Sequence, residues 1–375
     1  MGNPNLIQVP FNALGRGVDE IRAELDIAIN RVLSSGWYVL GPDHSAFENE
    51  LADYVGVDYA IACGNGTDAI QLGLKALGVE PNDSVMTAAN AGGYTTTAVN
   101  QLGATAIYSD VEESTQLLSV TTLQEAISRA GYKPKVIVVT HLFGAAADVS
   151  NIVSWAHSEK ILVLEDCAQS LGAMAGDKRA GSVGDISTTS FYPTKNLGAL
   201  GDGGAVMTND VTLANNVRSL RQYGWSSKYK TTKTGGMNSR LDELQAAILR
   251  VKLAKLDGWN ERRREIHSRY VNAAEGKLNF VNSENSSFVA HLAVVTSRRR
   301  DELSKFLNEN GVATDVHYPI PDHLQEINSQ RSDLWSLPVT EKLANQILSI
   351  PIFPELTEEE ISHIESVLKN VPKTF

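Results

Sequence analysis

The sequence predicts an α/β fold: a large domain with a mostly parallel central sheet flanked by helices, and a smaller α+β C-terminal domain. Three observations carry this. Short apolar runs such as VIVVT (Val136–Thr140) and ILVLE (Ile161–Glu165) alternate with segments of helical periodicity. The runs are continuous apolar stretches rather than alternating ones, as strands buried on both faces of a parallel sheet require. Beyond Gly258 the chain reads as a smaller α+β part. The division expected is 1–257 and 258–375, with Gly258 as the break and the N-terminal helix free to pack on the smaller domain.

Taken in order, residues 18–35 have helical spacing at Ile21, Leu25 and Val32. A turn (SGWYVLGP) and a helix from about His44 to Tyr54 follow. Tyr59–Cys63 reads as a strand that enters GNGT and a helix stopped at Gly78, with Thr67 as its cap. Strand, glycine turn and helix start point free N–H groups at an anion, although such turns often serve only chain reversal. Ser84–Ala88, Thr105–Tyr108, Val136–Thr140 and Ile161–Glu165 read as strands. Between them the helices are 94–102, 121–130 and 149–158. Ligands of open parallel sheets sit at the carboxyl ends of strands, which is where GNGT, Asp110, His141 and Asp166 fall. Asp185–Ser190 and Gly203–Thr208 complete the large sheet. Helices are expected at 212–222, 239–256 and 260–274, around a long polar loop from Tyr223 to Met237. The C-terminal part reads as strands at Phe288–Thr296 and Ala313–Val316, a helix at 301–310, and a last helix capped by Thr357 and Glu360.

The chain has 375 residues, 42% hydrophobic and 21% charged, as ordinary globular proteins do. Its formal charge of −11 argues against a general nucleic-acid or membrane-surface role. No apolar run approaches the roughly 20 residues that span a bilayer. The N-terminus lacks the features of a signal peptide, and position 6 is Leu where a myristoylation signal has Ser or Thr. The two cysteines, Cys63 and Cys167, read as reduced, buried thiols of a cytoplasmic protein. The eight histidines show no metal-ligand spacing, so no metal is expected.

One lysine stands out. Lys195 lies in SFYPTKNLGALGDGGAV, between an aromatic pair and a glycine-rich turn. A desolvated lysine has a lowered pKa and becomes a nucleophile toward carbonyls, so Lys195 is a candidate carrier of pyridoxal phosphate. From this window alone, a lysine on a tight loop is an equal reading. A pyridoxal phosphate site also needs a carboxylate for the ring nitrogen, a phosphate cradle and a stacking group. Asp166 in EDCAQS is the candidate carboxylate, and a strand-end cap is the plainer reading of it. Gln169 is placed for the ring hydroxyl.

Together the segments SGWYVLGP, GNGTDA, EDCAQ, SFYPTKNLGALGDGG, MNSRLDELQAAIL and HYPIPDHLQ resemble the DegT/DnrJ/EryC1/StrS family of pyridoxal-phosphate-dependent nucleotide-sugar aminotransferases. The resemblance implies fold type I, as in aspartate aminotransferase, and L-glutamate as amino donor. It implies Lys195 as the Schiff-base lysine and proton carrier, Asp166 on the pyridine nitrogen and Gln169 near the ring hydroxyl. Gly66, Thr67 and Ser190 match phosphate positions, and Asn238 matches an asparagine that reaches the phosphate from the other subunit of a homodimer. Tyr94 falls where the ring-stacking residue is found, though NAGGYTTTA departs from the usual pattern. Tyr192, His317 and Tyr318 resemble sugar contacts, with Lys228 and Arg240 as further substrate contacts. GNGTDA with SFYPTKNLGALGDGG is most similar to the branch that aminates C3 of a 3-keto sugar, for a surface polysaccharide or glycoside. Relatives with His in place of the lysine are dehydratases, which makes dehydration one rival. A non-catalytic cofactor-binding regulator or scaffold is the other.

Overall fold

The computed structural model describes residues 6–282, 287–328 and 335–375. Helices α1 (Leu14–Glu20), α2 (Arg22–Ser35) and α3 (Pro42–Val55) open the chain. Pro42 starts α3, where a missing N–H is harmless, and left-handed Gly56 ends it. Then come β1 (Tyr59–Cys63), α4 (Gly66–Ala76), β2 (Ser84–Ala88), α5 (Tyr94–Gln101), β3 (Thr105–Ser109), α6 (Val120–Ala130), β4 (Val136–Thr140), α7 (Val149–Ser158) and β5 (Leu162–Asp166). A short hairpin, β6 (Met174–Ala175) and β7 (Lys178–Arg179), precedes β8 (Ile186–Ser190) and β9 (Gly204–Thr208).

These strands form a seven-stranded sheet in the order β1-β9-β8-β5-β4-β2-β3. The β2/β3, β2/β4, β4/β5 and β5/β8 pairs are parallel, and β9 runs antiparallel to both its neighbours. The carboxyl ends of the other six strands therefore share one edge. Residues alternate between two cores: Val136 and Val138 pack with α4, α5 and α8 (Val211–Leu220), and Ile137 and Val139 pack toward the C-terminal part. The apolar-throughout reading of these strands follows from that two-sided burial.

The rest comprises β10 (Trp225–Ser227), β11 (Lys230–Thr231), α9 (Glu243–Leu253), α10 (Leu256–Ala274), β12 (Asn279–Phe280), β13 (Ala293–Thr296), α11 (Arg300–Glu309), α12 (Pro338–Ala344), β14 (Ile347–Ile350) and α13 (Glu358–Lys369). Strands β12, β13 and β14 make a small antiparallel sheet. Helix α2 packs on α9 through Leu25 and Ile248. Ahead of it, Val9 pairs with the backbone at Gly311 and Ala313, so the segment at Val9 lies along the C-terminal part.

Several local expectations are corrected. Gly258 lies inside α10, and the helix break falls at Ala254–Lys255, so glycine here is tolerated rather than punctuating. Ala313–Val316 forms no strand; Asp315 makes one isolated bridge to Ser349. The first strand of the C-terminal part is confined to Ala293–Thr296. The loop 223–237 folds a two-stranded ribbon of its own, β10–β11. The cap of α4 is Asn65, whose side chain accepts from the Asp68 N–H at 2.8 Å, and Thr67 is the second helical residue. Thr357 and Glu360 do form the capping box of α13.

Candidate active site

A cavity of about 560 Å³ opens at the shared carboxyl edge of the sheet. The turn after β1 brings Asn65, Gly66 and Thr67 to it, β5 brings Asp166 and Gln169, and the segment leaving β8 brings Ser190, Tyr192 and Lys195. Strands β5 and β8 are neighbours, so Asp166 and Lys195 face one space.

Lys195 is half-buried at the cavity wall. Burial pushes its amine pKa down to about 8, against the pull of Asp166 in the other direction. Asp166 is the last residue of β5 rather than the one beyond it, and it is buried. Its Oδ1 accepts the Ala168 N–H at 3.0 Å, and the Thr140 hydroxyl lies 3.5 Å from Oδ2. Burial raises the Asp166 pKa, only partly offset by the Ala168 N–H and by Lys195. Gln169 is fixed by accepting the Phe143 N–H (2.8 Å) and donating to the Tyr318 hydroxyl (3.1 Å). Tyr318 meets Tyr94 edge to face, with centroids 6.1 Å apart and both rings on the cavity.

Gly66 is required by close approach. A Cβ there would stand 2.6 Å from the Ser190 Cβ, so the amides that open α4 sit directly against Ser190. A helix start whose first N–H groups line a cavity beside two hydroxyls, Thr67 and Ser190, is an anion cradle.

The other strand-end candidates resolve into scaffold. His141 donates through Nε2 to Glu165 at 2.9 Å and accepts the Ala147 N–H on Nδ1 at 3.0 Å. Glu165 also takes N–H donors from Gly181, Val183 and Gly184. With Cys167 they gather within 4.8 Å, but this saturated carboxylate and histidine have no lone pair aimed at an ion. Asp110 holds the Val339 and Thr340 amides at the start of α12.

His317 and Tyr318 line the cavity as the sequence suggested. Asn238, Lys228 and Arg240 do not. Asn238 is exposed and pairs with Gln222, while Lys228 and Arg240 line a separate open cleft with Trp225, Tyr229 and Arg218. Among the liners that sequence reasoning missed are Phe11, which stacks on His317 at 5.6 Å, Asn12, Arg263 and His291. Arg263 sits in an ordinary helical ERRRE run and His291 stands alone in SSFVAHL, so neither carried a signal.

The residues present fit pyridoxal phosphate. Asp166 is a buried carboxylate without an ion pair among the described residues, Gly66, Thr67 and Ser190 form the anion cradle, and Lys195 is a depressed amine between them. An arrangement of this kind can capture a carbonyl and move a proton beside it.

Comparison with known proteins agrees. The family model described as the DegT/DnrJ/EryC1/StrS aminotransferase family matches residues 19–369. The chain is 40% identical to a Streptomyces venezuelae protein named dTDP-3-amino-3,4,6-trideoxy-alpha-D-glucose transaminase, over 93% of this chain and 92% of that one. It is 39% identical to the UDP-2-acetamido-2-deoxy-3-oxo-D-glucuronate aminotransferase of Pseudomonas aeruginosa, over 93% and 96%. Among solved structures, NtdA from Bacillus subtilis with bound cofactor PMP superposes with a TM-score of 0.90 at 31% identity, covering 98% of this chain and 86% of that one.

Proposed function

The chain belongs to the DegT/DnrJ/EryC1/StrS aminotransferase family, and we propose that it moves an amino group from L-glutamate to the C3 keto carbon of a nucleotide-diphosphate-linked sugar. It is a pyridoxal-phosphate-dependent transaminase acting on nucleotide sugars. The observation that carries this is the placement of Lys195 and Asp166 on one cavity beside the Gly66–Thr67 cradle. The choice of C3 over C4 draws on relatives whose names specify a 3-amino or 3-oxo sugar. We assign the product to a surface polysaccharide or glycoside made in the cytoplasm, which suits the two buried, unpaired cysteines.

Gly66, Thr67 and Ser190 would hold the cofactor phosphate, Asp166 the protonated ring nitrogen, and Gln169 the ring hydroxyl. Tyr94 would flank the ring. Bound pyridoxal phosphate supplies an electron sink for the pair released at the carbon that loses its proton. The Lys195 amine takes that proton from the amino donor and returns one to the sugar carbon, and a pKa near neutrality suits both directions. Tyr192, His317 and Tyr318 would orient the sugar.

We further read the working unit as a homodimer. Asn238 is exposed outside the cavity of its own chain, Trp37, Tyr38 and Tyr229 are exposed aromatics, and Tyr229 lines the cleft that holds Lys228 and Arg240. These residues are free to complete the partner's site; a monomer by light scattering would remove that reading.

The test is spectroscopic and chemical. The visible band of the loaded protein should fade with L-glutamate and return with a nucleotide-linked 3-keto sugar. A panel of 3-keto and 4-keto sugars read by mass spectrometry should yield the 3-amino product. Amination of the 4-keto sugar alone would move the assignment to C4, and no amine from any sugar would overturn the transaminase reading.

A further inference from the structure

The cavity has a second cation. Arg263, on α10, is only 5% exposed, yet it lines both the main cavity and a small cavity of about 50 Å³ next to it. Lys195 lines the same two. The guanidinium is poorly satisfied by the protein. Nη1 donates to the Ile352 carbonyl at 2.8 Å, while Nε is buried with no hydrogen-bond partner. Among the described residues no carboxylate forms an ion pair with it; Glu355 is near enough to feel its charge but does not close on it. Burial draws its pKa down toward about 10, which still leaves it charged at neutral pH. A buried guanidinium lacking a carboxylate is costly unless a ligand supplies one.

Other groups on the cavity leave that role to Arg263. Asn196 donates its amide N–H groups to Asn260 Oδ1 (2.7 Å) and the Val289 carbonyl (3.0 Å), so its Oδ1 accepts from His291 Nδ1 at 2.8 Å. Burial, with Lys195 and Arg263 nearby, keeps His291 neutral. Burial also lowers the His317 pKa, partly countered by Asp315, 3.8 Å away. Asp166, Asp202 and Asp315 add negative charge to the walls. The remaining cation, Lys195, is committed to the chemistry.

We propose that Arg263 is the receptor for the α-carboxylate of the amino donor. The proposal rests on the transaminase reading above. The α-carboxylate is bonded to the carbon whose proton Lys195 moves, so it must lie deep in the cavity beside that lysine. The nucleotide diphosphate is several bonds from the sugar carbon that reacts and extends toward the cavity mouth. A planar fork of donors matches a carboxylate in two-point contact.

The test compares L-glutamate with γ-aminobutyrate, which is glutamate without its α-carboxylate, on cofactor-loaded wild type, Arg263→Gln and Arg263→Lys. In Arg263→Gln, kcat/KM for glutamate should fall by about 10²–10³-fold, while γ-aminobutyrate and the KM for the nucleotide sugar stay within about threefold. Binding gives an independent readout: the Kd of the unreactive dicarboxylate glutarate, titrated calorimetrically, should weaken by a similar factor. If Arg263→Gln fails to fold by circular dichroism, Arg263→Lys keeps the charge but loses the fork, and should still lower the glutamate to γ-aminobutyrate ratio by about tenfold. An unchanged ratio, an equal loss on both donors, or unaltered glutarate binding overturns the proposal. A wild type that consumes no glutamate overturns the transaminase reading instead.

Discussion

The cavity wall made by the sheet and the wall made by α10 and the C-terminal segments are held in different ways. On the sheet side, Asp166 ends β5, Ser190 ends β8, and Gly66 follows β1 by three residues. Parallel pairing fixes these groups relative to one another, with Asp166 opposite Thr188 and Thr140 in the ladder. On the other side, Arg263, His291, His317 and Phe11 come from a helix, a strand approach, a loop and the N-terminal segment. Their positions depend on long-range bonds such as Asn196 to Asn260 and Val9 to Gly311. In the function proposed above, the sheet wall would carry the chemistry and the assembled wall would read the substrate.

The contrast can be broken most sharply at Lys195. Lys195→Ala should lower turnover by about 10³-fold or more with fold and cofactor phosphate binding retained, measured by glutamate-dependent product formation. Retained turnover would move the chemistry off the sheet wall.

A pH experiment sharpens the same wall. The apo-protein should capture added pyridoxal phosphate at a rate rising with pH through a midpoint of about 8, well below an ordinary lysine. Because the folded pKa is depressed, this group penalises folding below that midpoint, and the penalty is relieved as pH rises above it. Asp166→Asn removes the charge that pulls the amine upward, so the midpoint should drop further. An unchanged midpoint would show that Asp166 does not act on Lys195.

The smallest effect is expected on the assembled wall. Phe11 stacks on His317 with rings inclined at 22°. Phe11→Ala should raise the KM for the nucleotide sugar by about three- to tenfold, with kcat within about twofold, since an aromatic pair contributes about 0.5–1.5 kcal/mol beyond its buried area. A fall in kcat matching that of Lys195→Ala would erase the distinction between the walls.

The strands at Tyr59–Cys63, Ser84–Ala88 and Val136–Thr140 and the helix at Val149–Ser158 have the bounds that their patterns suggested. Burial on both faces leaves a five-residue apolar run little choice. Legibility failed where local rules have several outcomes. Gly258 could break a helix or sit in one, Ala313–Val316 could pair as a full strand or, as it does, make only the single bridge from Asp315 to Ser349, and Asn65 and Thr67 could each have capped α4.

The sequence by itself determined the large sheet, the alternation that covers it, and the grouping of Gly66, Asp166, Gln169, Ser190 and Lys195 around one cavity. Those residues are set by local pattern, and the parallel architecture then places them on one edge. Only the tertiary structure decided what faces them. Asn238, Lys228 and Arg240 lie away from this cavity, and Arg263 and His291 lie on it. A charged residue in a helix and a histidine in an apolar run look alike in sequence whether they meet solvent or a cavity. The packing of α10 and the C-terminal part against the sheet made that choice.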